Sequence, residues 1–257
     1  MDLVELADSV IVCQDRSYYQ VNMVCINLTS ELVFVDTCTK PPLAAKFRKT
    51  MEARFGEKKA TLVITHANGD HFQAIDAFDD LPVVVSVPFL KRVKQYNIPR
   101  KRMKLLQEAQ TFSKEITFGQ ENHKLIFHWV GGHTADSIYG LLPSEKIVIA
   151  GDNLISNMPQ YFPFADTDLA KWVNCLKNWE NLDVDRFICG HGGIVGKNHV
   201  AKVRRFFEAL RAFLVSSKKE NLSMEEVLTH PDLPSYFEAD PEGWIENGLR
   251  QTYDSMQ

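Results

Sequence analysis

From Thr61 to His71 the chain reads Thr-Leu-Val-Ile-Thr-His-Ala-Asn-Gly-Asp-His, so two histidines, an asparagine and an aspartate fall within six positions. Imidazole and carboxylate are the usual ligands of zinc and of neighbouring transition metals. Leu62-Val63-Ile64, just before them, is a continuous apolar run of the kind that forms a buried strand, and Asn68-Gly69 is a turn signal. A strand that delivers His66, Asn68, Asp70 and His71 into a tight loop fixes their directions and suits a metal ion. The competing interpretation is a polar turn that merely contains histidines.

Further along, the same pattern returns. The strand-like stretch 124–130 runs into Gly131-Gly132-His133, Ile147–Ala150 into Gly151-Asp152, and Phe187-Ile188-Cys189 into Gly190-His191-Gly192. Four apolar runs thus end in glycine-containing loops that bear a ligand-type side chain. A glycine beside each ligand leaves room for close backbone approach. His123, His128, His199 and His230 lack this context and are expected to be surface or structural residues.

The elements that must position these side chains follow from periodicity and turn signals. Residues 9–14, 21–28 and 32–36 are strand-like and separated by polar loops, which predicts an antiparallel meander. Pro41-Pro42 opens a helix to about residue 55, followed by a strand over 61–65, a short helix over 72–78 and a strand over 83–87. Seven basic residues lie between Lys91 and Lys104, within a segment 88–108 read as a solvated helical surface, or else as a cap drawing anions toward the site. The second half predicts strands at 124–130, 138–142, 147–150 and 187–189. Helices are expected over 168–181 with Asp168 as N-cap, 197–217, 223–229 and 241–255. The intervening loop 154–164, with Met158, Tyr161, Phe162 and Phe164, is a candidate apolar wall for a pocket or simple packing. No linker or low-complexity stretch interrupts the chain, so residues 1–257 read as one domain with two halves, roughly 1–110 and 111–257. Each half orders strands before helices, which suggests two sheets packed together with helices outside.

Bulk properties narrow the partners. A net charge of −4 and a pI near 6.1 give no field to hold nucleic acid, and the basic run does not change that. No stretch approaches the roughly 20 apolar residues of a membrane span, and the acidic start Met1-Asp2-Leu3-Val4-Glu5 is not a signal peptide. The five cysteines, Cys13, Cys25, Cys38, Cys175 and Cys189, are odd in number and form no C-x-x-C pair. They read as free buried thiols in a reducing, cytoplasmic setting. A small-molecule substrate is the expected partner, and the oligomeric state, monomer or homodimer, stays open.

Taken together, the motifs resemble those of the metallo-β-lactamase superfamily: H-x-H-x-D-H, a distant histidine, a bridging aspartate and a last histidine. Here they stand as His66-Ala67-Asn68-Gly69-Asp70-His71, Gly132-His133-Thr134, Gly151-Asp152 and Gly190-His191-Gly192, with Val35-Asp36-Thr37 matching the family's strand-ending aspartate. The tail from Trp244 to Tyr253 is similar to the smaller bacterial and archaeal hydrolase-like members. The resemblance covers essentially the whole chain. It implies an α/β (α+β) fold, a four-layer αββα sandwich with a dinuclear metal site at one edge of the sheets. It assigns His66, His133 and Asn68 to a first metal site, Asp70, His71 and His191 to a second, and Asp152 to a bridge. Asp36 then supports a ligand histidine from behind.

The departure is Asn68, where the family has histidine. An amide coordinates only through its neutral carbonyl oxygen, a weaker and harder donor than imidazole. Three outcomes are open: a weakened first site, a preference for iron or manganese over zinc, or loss of catalysis with retention of the fold. One or two zinc ions are therefore expected, with iron or manganese as alternatives. The chemistry implied is metal-dependent hydrolysis, in which metal-bound hydroxide attacks a small ester, thioester, lactone, amide or phosphoester and Asp70 orients it or accepts the proton. An iron-dependent oxidoreductase is the rival reading. The oxygen- and nitric-oxide-reducing members, however, carry a glutamate at the Asn68 position and an attached flavin domain, and this chain has neither. A non-catalytic metal- or ligand-binding relative is the other rival.

Overall fold

A computed structural model of the chain describes residues 1–15, 20–162, 164–240 and 242–255. The first sheet takes its seven strands in sequence order: β1 (Asp2–Ala7), β2 (Val10–Gln14), β3 (Asn22–Leu28), β4 (Glu31–Val35), β5 (Lys59–Val63), β6 (Val83–Ser86) and β7 (Gln110–Phe112). β1 to β4 pair antiparallel; β4 to β7 pair parallel. Parallel neighbours need crossovers, and helices supply them. α1 (Pro41–Phe55) leads from β4 to β5. A one-turn helix α2 (Gly69–Phe72) and a 3-10 turn at Ile75–Phe78 lead to β6, and α3 (Phe89–Val93) and α4 (Arg100–Gln107) lead to β7.

The second sheet holds β8 (Glu115–Gln120), β9 (His123–Trp129), β10 (Ile138–Leu142), β11 (Ile147–Ile155), β12 (Arg186–His191) and β13 (Ile194–Val195), in the spatial order β13-β12-β11-β10-β9-β8. α5 (Leu169–Asn181), α6 (Lys197–Lys219), α7 (Met224–Thr229) and α8 (Trp244–Ser255) complete the described elements. Asp168 caps α5, its carboxylate accepting from Lys171 N at 3.0 Å. No helix among the described residues is long and apolar enough to cross a membrane.

Three apolar clusters correspond to the three interfaces of a four-layer αββα sandwich. One lies between the first sheet and its helices, with Phe34, Phe47 and Phe78. A second lies between the second sheet and α5, α6 and α8, with Trp172, Phe207 and Leu249. The third fills the space between the sheets, with Val33, Val35, Phe127 and Ile188. Along β4 the two-residue period is explicit: Leu32 and Phe34 belong to the outer cluster, Val33 and Val35 to the inner one. A strand covered on both faces has no polar side, which is why these strands read as continuous apolar runs.

Several boundaries differ from the sequence expectation. β1 and β8 alternate half-buried with exposed residues and carry Asp2, Glu5, Glu115 and Gln120, so their apolar signal is diluted. The segment 88–108 is two short helices, broken before Pro99. The helix expected over 72–78 is α2 followed by the 3-10 turn. β11 continues past Ala150 to Ile155 through a register shift at Gly151, so Asp152 sits inside a strand instead of after it. The helix expected over 241–255 begins at Trp244; residue 241 lies outside the described residues, as does residue 163 of the loop 154–164.

Candidate metal centre

β5, the loop before β10, β11 and β12 bring their ligand-type residues to one edge of the sandwich. Two groups of three form there, each with its ligand atoms within 4.8 Å of one another: His66, His133 and Asp152; and Asp70, His71 and His191. Asp152 lies between them. Its Oδ2 is 3.4 Å from His66 Nε2, 3.5 Å from His133 Nε2 and 3.2 Å from His191 Nε2, and its Oδ1 is 3.2 Å from His71 Nε2. Asp70 Oδ2 stands 3.3 Å from His191 Nε2. Six of the seven residues assigned to the metal from sequence thus contribute to these groups.

The glycines have a sharper role than general backbone freedom. A Cβ at Gly190 would sit 1.9 Å from Asp152 Oδ1, so this glycine makes room for the shared carboxylate itself. Gly132, at φ +103°, turns the chain so that His133 N donates to Asn153 Oδ1 at 2.9 Å.

Tautomers follow from hydrogen-bond bookkeeping. Thr65 Oγ1 donates to Asp36 Oδ2 at 2.7 Å, so at 3.0 Å it can only accept from His66 Nδ1. His66 Nε2 is then a bare lone pair, and it is buried with no hydrogen-bond partner among the described residues. His71 Nδ1 donates to Asp36 Oδ2 at 2.8 Å, so Nε2, 3.2 Å from His191 Nε2, is the atom that carries the lone pair whenever the ring is neutral. Lone pairs aimed at a common point among carboxylates are a poor hydrogen-bond network and a good cation site. The donor set Asp70, His71, His191 and Asp152 fits a divalent transition metal.

Asp36 is the anchor of this arrangement. It is buried at φ +58°, a conformation that costs a non-glycine residue about 1 kcal/mol, although aspartate tolerates it better than most. The twist lets one carboxylate accept from Thr65 N at 2.7 Å, Thr65 Oγ1 and His71.

Charge differs between the groups. Burial opposes protonation of His71, but the Asp152, Asp36 and Asp70 carboxylates outweigh it and hold this imidazole well above its ordinary range. His191 is raised against burial in the same way, chiefly by Asp152. Burial dominates at His133, which is pushed well below the ordinary value. Asp152 is held well below the carboxylate range, the penalty of burial being overcome by His191, His71 and His66.

Asn68 does not meet the expectation that it offers its oxygen to the first group. Its Oδ1 accepts from Arg92 Nη1 at 2.7 Å and from Tyr96 Oη at 3.3 Å. Its Nδ2 points to His133 Nε2 at 3.1 Å. Because guanidinium can only donate, the oxygen must be the atom facing Arg92. Arg92 itself corrects the solvated-surface reading of the basic run: it is 6% exposed, donates to Asp166 Oδ2 at 2.9 Å and to Ala67 O at 3.0 Å, and stacks over Phe164. Lys101 and Arg102 pair instead with Asp79 and Asp76. Sequence reasoning also missed Asp136, fully buried, whose Oδ2 accepts from Ala67 N at 2.6 Å and so ties the ligand loop to the second sheet. No motif marks either residue.

The groups open onto a cavity of about 400 Å³ whose lining includes the polar Asn68, Asp70, Asp152 and His191 and the apolar or aromatic Ile155, Met158, Tyr161 and Trp244. The loop 154–164 divides accordingly. Met158 and Tyr161 face the cavity, Phe162 is buried in the core, and Phe164 packs edge-on against His133.

Comparison with known proteins agrees with this fold. The chain is 26% identical over 187 residues to a protein named metallo-beta-lactamase type 2 from Bacillus sp. (strain 170), covering 68% of each chain. It is 25% identical over 147 residues to a beta-lactamase-like protein 2 homolog of Caenorhabditis elegans, a match spanning 57% of this chain but only 46% of that protein. Among solved structures, the metallo-beta-lactamase from Pontibacter korlensis superposes with a TM-score of 0.66 at 17% identity, over 80% of this chain and 98% of the other. The sec-alkylsulfatase Pisa1 from Pseudomonas sp. reaches 0.74 at 17% identity, over 98% of this chain and 49% of the other. At such identities the two structures speak for the fold alone. The family model described as the metallo-beta-lactamase superfamily matches residues 17–191, which include every ligand-type residue at the sandwich edge. The chain belongs to the metallo-β-lactamase superfamily.

Proposed function

We propose that the protein is a metal-dependent hydrolase of small molecules, with carboxylic esters, thioesters and lactones as its first candidate substrates and amides and phosphoesters as further ones. The observation that carries this reading is the junction of two chemistries in one cavity: Asp70, Asp152 and His191 of the Asp70/His71/His191/Asp152 donor set share its lining with Met158, Tyr161 and Trp244. The curated relative at 26% identity is named a metallo-beta-lactamase, and opening a lactam is hydrolysis, which supports the reaction class. A divalent cation held by these donors would bring the pKa of water close to neutrality and polarise an acyl oxygen. Mixed imidazole and carboxylate donors suit zinc, with iron or manganese as alternatives.

The chain's own residues supply the rest. Asp36 and Thr65 fix the rings of His71 and His66 so that Nε2 of each faces the centre. Asp70 lines the cavity, its side chain 20% exposed, where its carboxylate can take a proton from the nucleophile and pass it to the leaving group. Apolar side chains of the cavity lining hold the acyl portion and keep bulk water away from it.

The test is a panel of chromogenic esters, thioesters, lactones, amides and phosphodiesters, run with zinc-loaded wild type and with His71→Ala. Wild type is expected to cleave at least one acyl substrate and the variant none. Equal inertness of both proteins across the panel, with metal bound to the wild type, would rule the hydrolase reading out.

A further inference from the structure

The two ligand groups are built for different numbers of donors. Asp152 stands beside both groups, so that Asp70, His71 and His191 make four donors with it, whereas His66 and His133 make three. In the other group, the position beside His66 and His133 is taken by the amide nitrogen of Asn68. An amide nitrogen has its lone pair delocalised into the carbonyl, so it donates hydrogen bonds and does not coordinate. Moreover, its N–H is directed at His133 Nε2, 3.1 Å away, the same lone pair that imidazole would offer a metal.

The amide could serve as a ligand only by turning over. Arg92 opposes this. Reversal would set the NH₂ group against Arg92 Nη1, donor facing donor at 2.7 Å, and would also forfeit the contact from Tyr96. Losing one charge-assisted hydrogen bond is a factor of roughly ten to a hundred in an equilibrium constant. Arg92 is not free to retreat, because Asp166, the carbonyl of Ala67 and the ring of Phe164 hold it. Its charge is largely offset by Asp166 and by Asp136, 3.7 Å away. Orientation of the amide, more than repulsion of a cation, is therefore what disables the position.

Building on the reading of the site as a metal centre, we infer that Arg92 and Asn68 act together as a lock on the first ligand group, so that the chain takes a single metal ion, at Asp70, His71, His191 and Asp152. Arg92 is a positioning residue in this scheme; it touches the amide and not the ion. The two histidines of the locked group, His66 and His133, line the centre without holding an ion of their own.

Metal stoichiometry tests this without reference to turnover. Purified full-length protein is dialysed against buffered zinc, and bound metal per chain is measured at rising free zinc. Wild type is expected to bind one ion, with any second ion at least roughly ten- to a hundredfold weaker. Asp70→Ala should lose that ion, whereas His133→Ala should retain it. Asn68→Asp keeps the shape and the Arg92 contact but replaces N–H by a carboxylate oxygen, and should bind a second ion at concentrations comparable to the first. Two ions of similar affinity in wild type, loss of the ion in His133→Ala, no ion at all, or no gain in a folded Asn68→Asp would each overturn the inference. Should Asn68→Asp fail to fold, the wild-type, Asp70→Ala and His133→Ala values still decide it. A protein that binds one ion and cleaves nothing defeats the hydrolase reading and leaves this inference standing.

Discussion

The two ligand groups share Asp152 and lie within a few ångströms of each other, yet they are supported by opposite means. Behind His71 stands a carboxylate, Asp36, which accepts from Nδ1–H and so leaves Nε2 as the atom that can offer a lone pair to a cation. Beside His133 stands an amide, and behind the amide a buried guanidinium, so that an N–H donor is turned toward the centre. The lesson is that a ligand's worth depends on the group behind it. An anion there makes imidazole a better donor, and a cation there turns an amide the wrong way.

The largest effects should come from cutting the two groups at equivalent residues. His71→Ala is expected to lower kcat/KM for the best substrate by on the order of a thousandfold or more, the scale for groups that act as one unit. His133→Ala should cost far less. Similar losses in steady-state assays of the two variants would erase the distinction between the groups. Asp36→Asn is the next step down. It preserves tolerance of the positive φ but removes the charge behind His71, and zinc affinity by competitive chelator titration should fall roughly 10–100-fold. Unchanged affinity would mean that the anion behind the ring is not what distinguishes it.

A pH titration sharpens the same contrast. His71 and His191 are raised, so protons compete with the metal to higher pH than at ordinary imidazoles. Zinc affinity should therefore rise with pH, by about tenfold per unit for each proton displaced, and a flat profile from pH 6 to 8 would count against the electrostatic account. In the metal-free protein the sign reverses. Raised imidazoles favour folding below about pH 6.5 and lose that contribution as pH climbs through their folded-state values, so apo stability should decline over the range in which affinity grows. The smallest effect concerns the apolar lining of the cavity. Trp244→Ala should raise KM for bulky acyl substrates by roughly tenfold or less with kcat nearly unchanged, since one apolar contact is removed from binding alone. A loss confined to kcat would place Trp244 closer to the reacting atoms than the cavity geometry does.

Much of the centre was legible before any coordinates. His66, Asp70, His71, His133, Asp152 and His191 stand out because few side chains coordinate metals, and because each comes shortly after an apolar run of sequence, a pattern visible at short range. Asp36 was legible for the same reason. The sandwich was legible too, since strands buried on both faces write continuous apolar runs. Edge strands β1 and β8 were not, because half of each faces outward and carries charge. Arg92 was hidden by its neighbours: seven basic residues in one stretch look alike, and only packing sorts the one under Phe164 from those paired with Asp76 and Asp79 on the outside.

Asn68 marks the boundary between the two kinds of knowledge. Its identity, an amide where the family has imidazole, is a fact of sequence, and so is the chemistry it excludes. Which of its two atoms faces the centre is not. That choice depends on a guanidinium 24 positions downstream, carried by α3 and pinned by Asp166 from another loop. Sequence determines which groups are available to a site. Orientation comes from contacts between residues far apart in the chain, and at this centre orientation decides whether a side chain is a ligand or a lock.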